Sequence, residues 1–347
     1  MRFVDVAANL LDDMYEGHYN GKSSHPPDLD AVLERAWNAG LKKIIITAGS
    51  LADSKHALAL SHRDERLFCT VGCHPTRATE PEQHPGGPTA YFDEMRVIAQ
   101  EGVQAGKVVA IGECGLDYDR LHFSSQTQQQ ACFREHFKLA QSFGLPMFLH
   151  SRAAADDFHA TMVEHDACYG AGLVHSFTGT QAEAASLLAI PRLMIGVNGC
   201  SLKTDANVDV VAGLPSDRIM LETDCPWCEI RPTHAGFKFL QPSTAGSGSG
   251  GSSAGAGQHQ QSQKGQKGKA AAEPVPPTET SEGQPARDKK KHDPAFMVKG
   301  RNEPASLRRV FQVVAGCRGL TTPEQELEFS EQLWHNTHRM FFAGGST

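Results

Sequence analysis

Four side chains of the kind that bind divalent cations, Glu113, His150, His175 and Asp224, each fall just after a short apolar run. The runs are Val108–Ile111, Pro146–Leu149, Gly172–Val174 and Ile219–Leu221. Two neutral imidazoles and two carboxylates form a mixed nitrogen and oxygen donor set suited to Mg2+, Mn2+ or Zn2+, and one carboxylate can bridge two ions. Taken singly, each histidine is more often structural, and a lone aspartate at a strand end more often caps a turn. The shared position of all four is what points to a metal centre. In a barrel of parallel strands the C-terminal strand ends converge on one face, where active sites of that fold are built. Residues spread over more than a hundred positions then come within reach of common cations. Cations held there can supply what phosphodiester cleavage needs: an oxygen nucleophile, charge relief on the non-bridging oxygens and a stabilised leaving alkoxide.

The elements that must bring these groups together are legible as periodicity. Eight β-branched or apolar runs recur: Phe3–Val6, Lys43–Thr47, Leu67–Val71, the four already named, and Leu193–Val197. Helical patterns lie between them. Asp28–Ala39 aligns Leu29, Val32, Leu33 and Ala36 and stops at Gly40; Thr127–Phe143 aligns Phe133, Phe137 and Ala140 and stops at Gly144. Continuous apolar runs suit parallel strands buried on both faces. Eight β/α repeats in 347 residues predict an α/β fold of the (β/α)8 TIM barrel class, which the four candidate ligands would make one of metal-dependent hydrolase type, with a doubly wound open sheet as the competing architecture. Pro304–Gly316 and Pro323–Phe342 are two further helical patterns, expected to pack outside the barrel and close it.

Composition narrows the function classes. Hydrophobic content of 39% and charged content of 21% are those of an ordinary globular protein. A formal net charge of −7 argues against coating nucleic acid through a broad basic surface, though not against a local phosphate site. The nine cysteines are scattered and odd in number, which reads as reduced thiols and a cytosolic or nuclear location. The first residues lack the apolar stretch of a secretory signal, and no run approaches the roughly 18 apolar residues of a membrane span. From Gln241 to Lys291 the chain turns to Gly, Ser, Gln, Ala and Pro, which predicts a disordered low-complexity insertion (241–291) after the eighth strand of a single barrel domain spanning 1–347. Its net charge of +3 leaves −10 for the remainder. The basic run Lys289–Lys291 reads as a solvated loop, with nuclear import or DNA tethering as the sharper alternatives.

Five ordered motifs carry a resemblance. Val71-Gly72-Cys73-His74-Pro75, Gly112-Glu113-Cys114-Gly115-Leu116-Asp117, Phe148-Leu149-His150-Ser151-Arg152, Val174-His175-Ser176-Phe177 and Glu222-Thr223-Asp224-Cys225-Pro226-Trp227 resemble the successive signatures of TatD-type deoxyribonucleases, closest to the eukaryotic TatD domain-containing branch. The resemblance runs from residue 1 to about 240 and resumes at Arg301-Asn302-Glu303-Pro304 through Phe342. It implies a TIM barrel and a divalent-metal nuclease that trims DNA, often from the 3′ end, with single-stranded DNA or 3′ ends as substrate. Carried over to matching positions, it implies that Glu113 bridges up to two ions, that His150 and His175 hold one, and that Asp224 holds the other and orients or deprotonates the attacking water. It further implies that His74 and Arg152 contact phosphate.

One departure bears on the metal. Many relatives begin with Asp-x-His-x-His, whereas here Asp5-Val6-Ala7-Ala8-Asn9 puts Ala7 and Asn9 at the histidine positions. That leaves one ion either weakly held, completed by water with or without Asn9, or arriving with the substrate, and favours Mg2+, which keeps several waters, over tightly bound zinc. Weaker candidates remain. Cys225-x-x-Cys228 has redox-motif spacing but no second pair; Asp117 reads as a partner to a metal ligand or a turn residue; Lys203 and Arg231 read as phosphate contacts or plain surface. Gly196, Asn198 and Gly199 read as loop-shaping. Two competing functions stand beside the nuclease: a small-molecule amidohydrolase or lactonase on the same barrel, and a catalytically silent scaffold binding DNA or protein through the basic insertion.

Overall fold

The computed structural model describes residues 1–240 and 286–343. Eight parallel strands follow one another in chain order: β1 (Phe3–Ala8), β2 (Leu41–Ile46), β3 (Leu67–Val71), β4 (Val108–Asp117), β5 (Met147–Arg152), β6 (Gly172–Val174), β7 (Leu193–Val197) and β8 (Ile219–Leu221). The chain beyond β8 returns to β1. Ala8 and Cys225 form a parallel bridge, the Asp224 N–H donates to the Ala7 carbonyl at 2.9 Å, and the Asn9 N–H donates to that of Cys225 at 2.8 Å. This seam brings the two outer strands of the sheet together, so the expected TIM barrel is the fold and the open doubly wound sheet is set aside.

Seven helices of two turns or more occupy the crossovers among the described residues: α1 (Leu29–Asn38), α2 (Leu51–Ser61), α3 (Gly87–Gln104, preceded by the one-turn helix Glu80–Gln83), α4 (Gln126–Phe143), α5 (Ala155–Glu164), α6 (Gln181–Leu188) and α7 (Asp205–Gly213). Two more, α8 (Leu307–Cys317) and α9 (Pro323–Phe341), follow β8. Their ends carry local instructions. Ser125 with Gln128, Thr180 with Glu183 and Thr322 with Gln325 form capping boxes, and Gly144 ends α4 at φ 63°.

The core has two layers. Val4, Val6, Ile45, Val109, Phe148, Leu173, Met194 and Met220 fill the barrel interior, while a larger shell joins the outer strand faces to the helices. Phe341, expected outside with the rest of α9, belongs to the inner layer. Near it Phe342 meets Phe68 at 4.8 Å and Arg2 lies over Trp334 at 4.2 Å, so α9 stoppers the end from which the strands start. The opposite end is left for chemistry. Among the described residues no helix is long and apolar enough to cross a membrane.

Most of the expected insertion, 241–285, lies outside the described residues. Its final stretch, 286–291, is described: Ala286–Arg287 pairs in parallel with Met297–Val298, and Lys289–Lys291 form one 3-10 turn. The chain then passes under the loop that follows β8. Arg301, 1% exposed, donates to both Asp28 oxygens at 2.7 Å and to Glu303 at 2.9 Å. Next to it the Asn302 N–H donates to the Pro226 carbonyl and its side-chain amide to that of Thr223, at 2.9 and 3.1 Å.

β4 and β5 extend further than periodicity predicts, to Asp117 and Arg152, so Glu113 and His150 lie within strands rather than past them. Glycine hides the continuation. Gly112 and Gly115 take φ of +140° and +142°, and a side chain on Gly115 would meet the His150 carbonyl at 2.0 Å. The register between β4 and β5 shifts between Ile111 and Cys114. That irregularity re-aims the residues around it. Gly115→Ala is therefore expected to destabilise the protein by about 2 kcal/mol or more, from left-handed strain plus the displaced β5 backbone. Chemical denaturation of the variant checks this, and an unchanged midpoint refutes it.

Candidate metal centre

Three donor atoms, from β4, β5 and the residue just past β6, meet at one point. Glu113 Oε1 lies 2.9 Å from His150 Nδ1 and 2.7 Å from His175 Nε2, and the two nitrogens are 3.4 Å apart. All three residues are buried. Edges of about 3 Å are what ligands roughly 2.1 Å from a shared ion produce. The far side of each imidazole faces a carboxylate: His150 Nε2 is 3.2 Å from Asp117 Oδ2, and His175 Nδ1 is 3.6 Å from Glu222 Oε1. With a cation bound, the Asp117 hydrogen bond would keep the His150 proton on Nε2 and nearby Glu222 would favour the matching tautomer of His175, leaving both inner nitrogens to coordinate. Asp117 is thus a partner to His150, and it also stands at the start of the 3-10 turn Tyr118–Arg120.

Glu222 has no side-chain role assigned by sequence reasoning. It is fully buried, and its Oε1 accepts from the Ser176 N–H at 2.6 Å and the Asn198 amide at 3.0 Å. The available signal was the Glu-x-Asp spacing of Glu222 and Asp224, since residues two apart on extended chain face the same side. Asn198, read as loop-shaping, also donates to Ser176 Oγ at 2.9 Å, so it braces the centre directly.

Asp224 joins from the seam. Its Oδ1 accepts from the Asn9 amide nitrogen at 2.9 Å, and its Oδ2 is approached by Ser176 Oγ at 3.4 Å and Cys228 Sγ at 3.3 Å. Asn9 spends its amide on Asp224 and on the Cys225 carbonyl, so it positions a carboxylate. Ala7 is buried in the inner core layer.

His74 sits at the rim, with Nε2 3.4 Å from Glu113 Oε1. Its Nδ1 accepts from the Thr76 N–H at 3.1 Å, which puts the ring proton on Nε2. His74 therefore presents a donor to the mouth. The loop carrying it is pinned by a residue sequence reasoning missed: His136, fully buried on α4, accepts from the Cys73 N–H at 2.9 Å and faces the Cys132 carbonyl at 2.8 Å. Only helical periodicity was visible there. Lys203 and Arg231 are exposed and stand in no ion pair among the described residues.

Burial opposes ionisation of Glu113, yet the imidazoles of His175 and His74 and hydrogen bonds from His150 and His175 hold it well below the usual carboxylate range. Burial likewise opposes the His175 cation, but Glu113 and Glu222 keep the ring protonated well above its ordinary value. Asp224 is pushed up by burial and by Glu222 and Glu113, against the pull of His175. Burial takes His74 down to about 3, so it stays neutral. Beside the cluster a cavity of about 640 Å³ opens between the loops after β5 and β6, lined by Ser151, Arg152, Asp119, His159, Phe177 and Thr178.

A second group with metal-like composition, His25, Asp28 and His292, lies away from this cluster. Asp28 there is already bound by Arg301 on both oxygens, and the two rings stack at 4.3 Å. The guanidinium occupies the place a cation would take.

The chain matches the family model described as "TatD related DNase" over residues 4–342. It is similar to "Deoxyribonuclease Tat-D" of Schizosaccharomyces pombe, 36% identical over 338 residues that cover 97% of this chain and 95% of that one. It is also similar to a "3'-5' ssDNA/RNA exonuclease TatD" of Enterobacter lignolyticus, 37% identical over 209 residues, 58% of this chain and 74% of that one. Among solved structures, a hydrolase TatD family protein from Entamoeba histolytica superposes with a TM-score of 0.80 at 31% identity, covering 99% of this chain and 98% of that one.

In the cation-free protein the imidazolium of His175 must lose its proton before Nε2 can coordinate. Binding of a divalent cation is therefore expected to release about one proton, so that affinity rises by up to about tenfold per pH unit below the His175 pKa. Calorimetric titration in two buffers of different ionisation enthalpy measures this. A heat that does not depend on the buffer is the contrary result.

Proposed function

This chain belongs to the TatD-related DNase family, and from that premise we propose that it is a divalent-cation-dependent deoxyribonuclease removing nucleotides from the 3′ ends of single-stranded DNA. The observation that carries the reading is the triangle of Glu113 Oε1, His150 Nδ1 and His175 Nε2, three inward donors whose outer atoms face carboxylates or a shared network. Those three residues would hold one cation, and Asp224 with a bridging Glu113 a second. Bound there, the cations supply charge relief on the phosphate oxygens and on the departing alkoxide. Mg2+ is the ion we assign, since Ala7 and Asn9 withhold two imidazoles and Mg2+ binds through few protein groups plus substrate phosphate.

Asp224 takes the proton of the attacking water. Asn9 and Ser176 hold that carboxylate in place. The Nε2–H of His74 and the guanidinium of Arg152, at the edge of the cavity, donate to the phosphate oxygens and orient the scissile bond. Trp227, half exposed on the loop after Asp224, offers a flat apolar face on which an unpaired base can stack. The −7 charge of the chain suits a substrate gripped at its end rather than along its length. Nine free cysteines fit a reducing cytosolic or nuclear setting.

End-labelled single-stranded DNA incubated with the protein and Mg2+ should shorten from its 3′ end, and Glu113→Ala should abolish shortening while its circular dichroism stays that of the parent. No shortening by cation-loaded parent protein refutes the assignment. Trp227→Ala is expected to raise KM for single-stranded DNA about tenfold, the cost of one lost base stack, with kcat little changed. An unaltered KM removes Trp227 from the substrate path.

A further inference from the structure

We propose that Cys200 and Cys228 form a reversible disulfide that turns the centre off under peroxide. The spacing Cys225-x-x-Cys228 directs attention to the wrong pair, because Cys225 is fully buried at the β1–β8 seam. The thiol opposite Cys228 comes instead from the loop after β7: Cys200 Sγ lies 2.7 Å from Cys228 Sγ. Both residues are partly exposed. Two features fix the approach. Gly199 packs so closely that a side chain there would meet the Cys228 carbonyl at 2.0 Å, and Cys228 adopts a left-handed φ of 54°.

Bond formation needs the sulfurs to close by only about 0.7 Å. The pair is not arranged as zinc ligands, since a tetrahedral ion with Zn–S near 2.3 Å holds thiolates roughly 3.8 Å apart. Hydrogen peroxide is the oxidant we name. One thiol attacks it to give a sulfenic acid and a water; the second sulfur then displaces the hydroxyl as another water, so two thiols and one peroxide yield one disulfide and two waters. A dithiol reverses the step by exchange.

The consequence runs through Asp224. The Cys228 thiol donates to Asp224 Oδ2 at 3.3 Å, and a disulfide sulfur has no proton to donate. Oxidation therefore removes one of the donors that hold this carboxylate. The pairing of the two thiols is independent of the nuclease reading, whereas the loss of hydrolysis rests on it.

The test uses the full-length chain, reduced, freed of reductant and exposed to hydrogen peroxide. Peptide mapping should find Cys200 linked to Cys228, and Mg2+-dependent hydrolysis of single-stranded DNA should fall about tenfold, the cost of a lost hydrogen bond to a charged group, then return with dithiothreitol. Cys200→Ser should match the parent under reductant and lose the reversible response. Absence of the Cys200–Cys228 linked peptide overturns the proposal, as does a Cys200→Ser variant as peroxide-sensitive as the parent. If the parent hydrolyses no DNA at all, the peptide map alone decides.

Discussion

One carboxylate oxygen organises the mouth of the barrel. Glu113 Oε1 is shared by His150 Nδ1 and His175 Nε2 within 2.9 Å, in a place where an unpaired carboxylate would cost several kcal/mol of desolvation. The imidazoles offset that cost only while β4, β5 and β6 keep their relative register. A slip of one residue would turn each donor to the opposite strand face. Ring closure, the register shift beside Gly112 and Gly115, and the capped helices outside all serve that alignment. A divalent cation fits the same constraint, because it offsets the same charge and asks the same three atoms to converge.

A set of carboxylates and amides outside the triangle decides which atom of each group faces inward. Asp117 and Glu222 stand behind the two imidazoles, Asn9 and Ser176 steady Asp224, and His136 pins the loop of His74. The support extends to the chain beyond the insertion. Buried Arg301 neutralises Asp28 and Glu303, and the adjoining Asn302 holds the carbonyls of Thr223 and Pro226 on either side of Asp224. Removing one partner of such a buried ion cluster costs about 3–5 kcal/mol, so the far end of the sequence fixes a residue of the centre.

The first strand shows how one departure is absorbed. Ala7 fills the barrel interior and Asn9 turns its amide to Asp224, so these two positions serve packing and orientation. The groups to which we assign cation binding therefore lie on β4 and β5, just past β6 and in the loop after β8.

Much of the molecule was legible before folding. The eight apolar runs all became strands, because β-branched clusters between helical stripes have few other ways to be buried. Glu113, His150, His175 and Asp224 stood out because strand ends are where polar side chains break an apolar run. Strand limits were not legible where glycine and buried acid interrupt the hydrophobic signal, as at Gly112–Asp117. Nor were roles that depend on what stands opposite: Glu222 behind His175, His136 beneath Cys73, and Cys200 rather than Cys225 facing Cys228. Periodicity records which residues are buried, a property each carries along the chain by itself. Pairing across the barrel depends on register and closure, which arise only when distant segments are packed together.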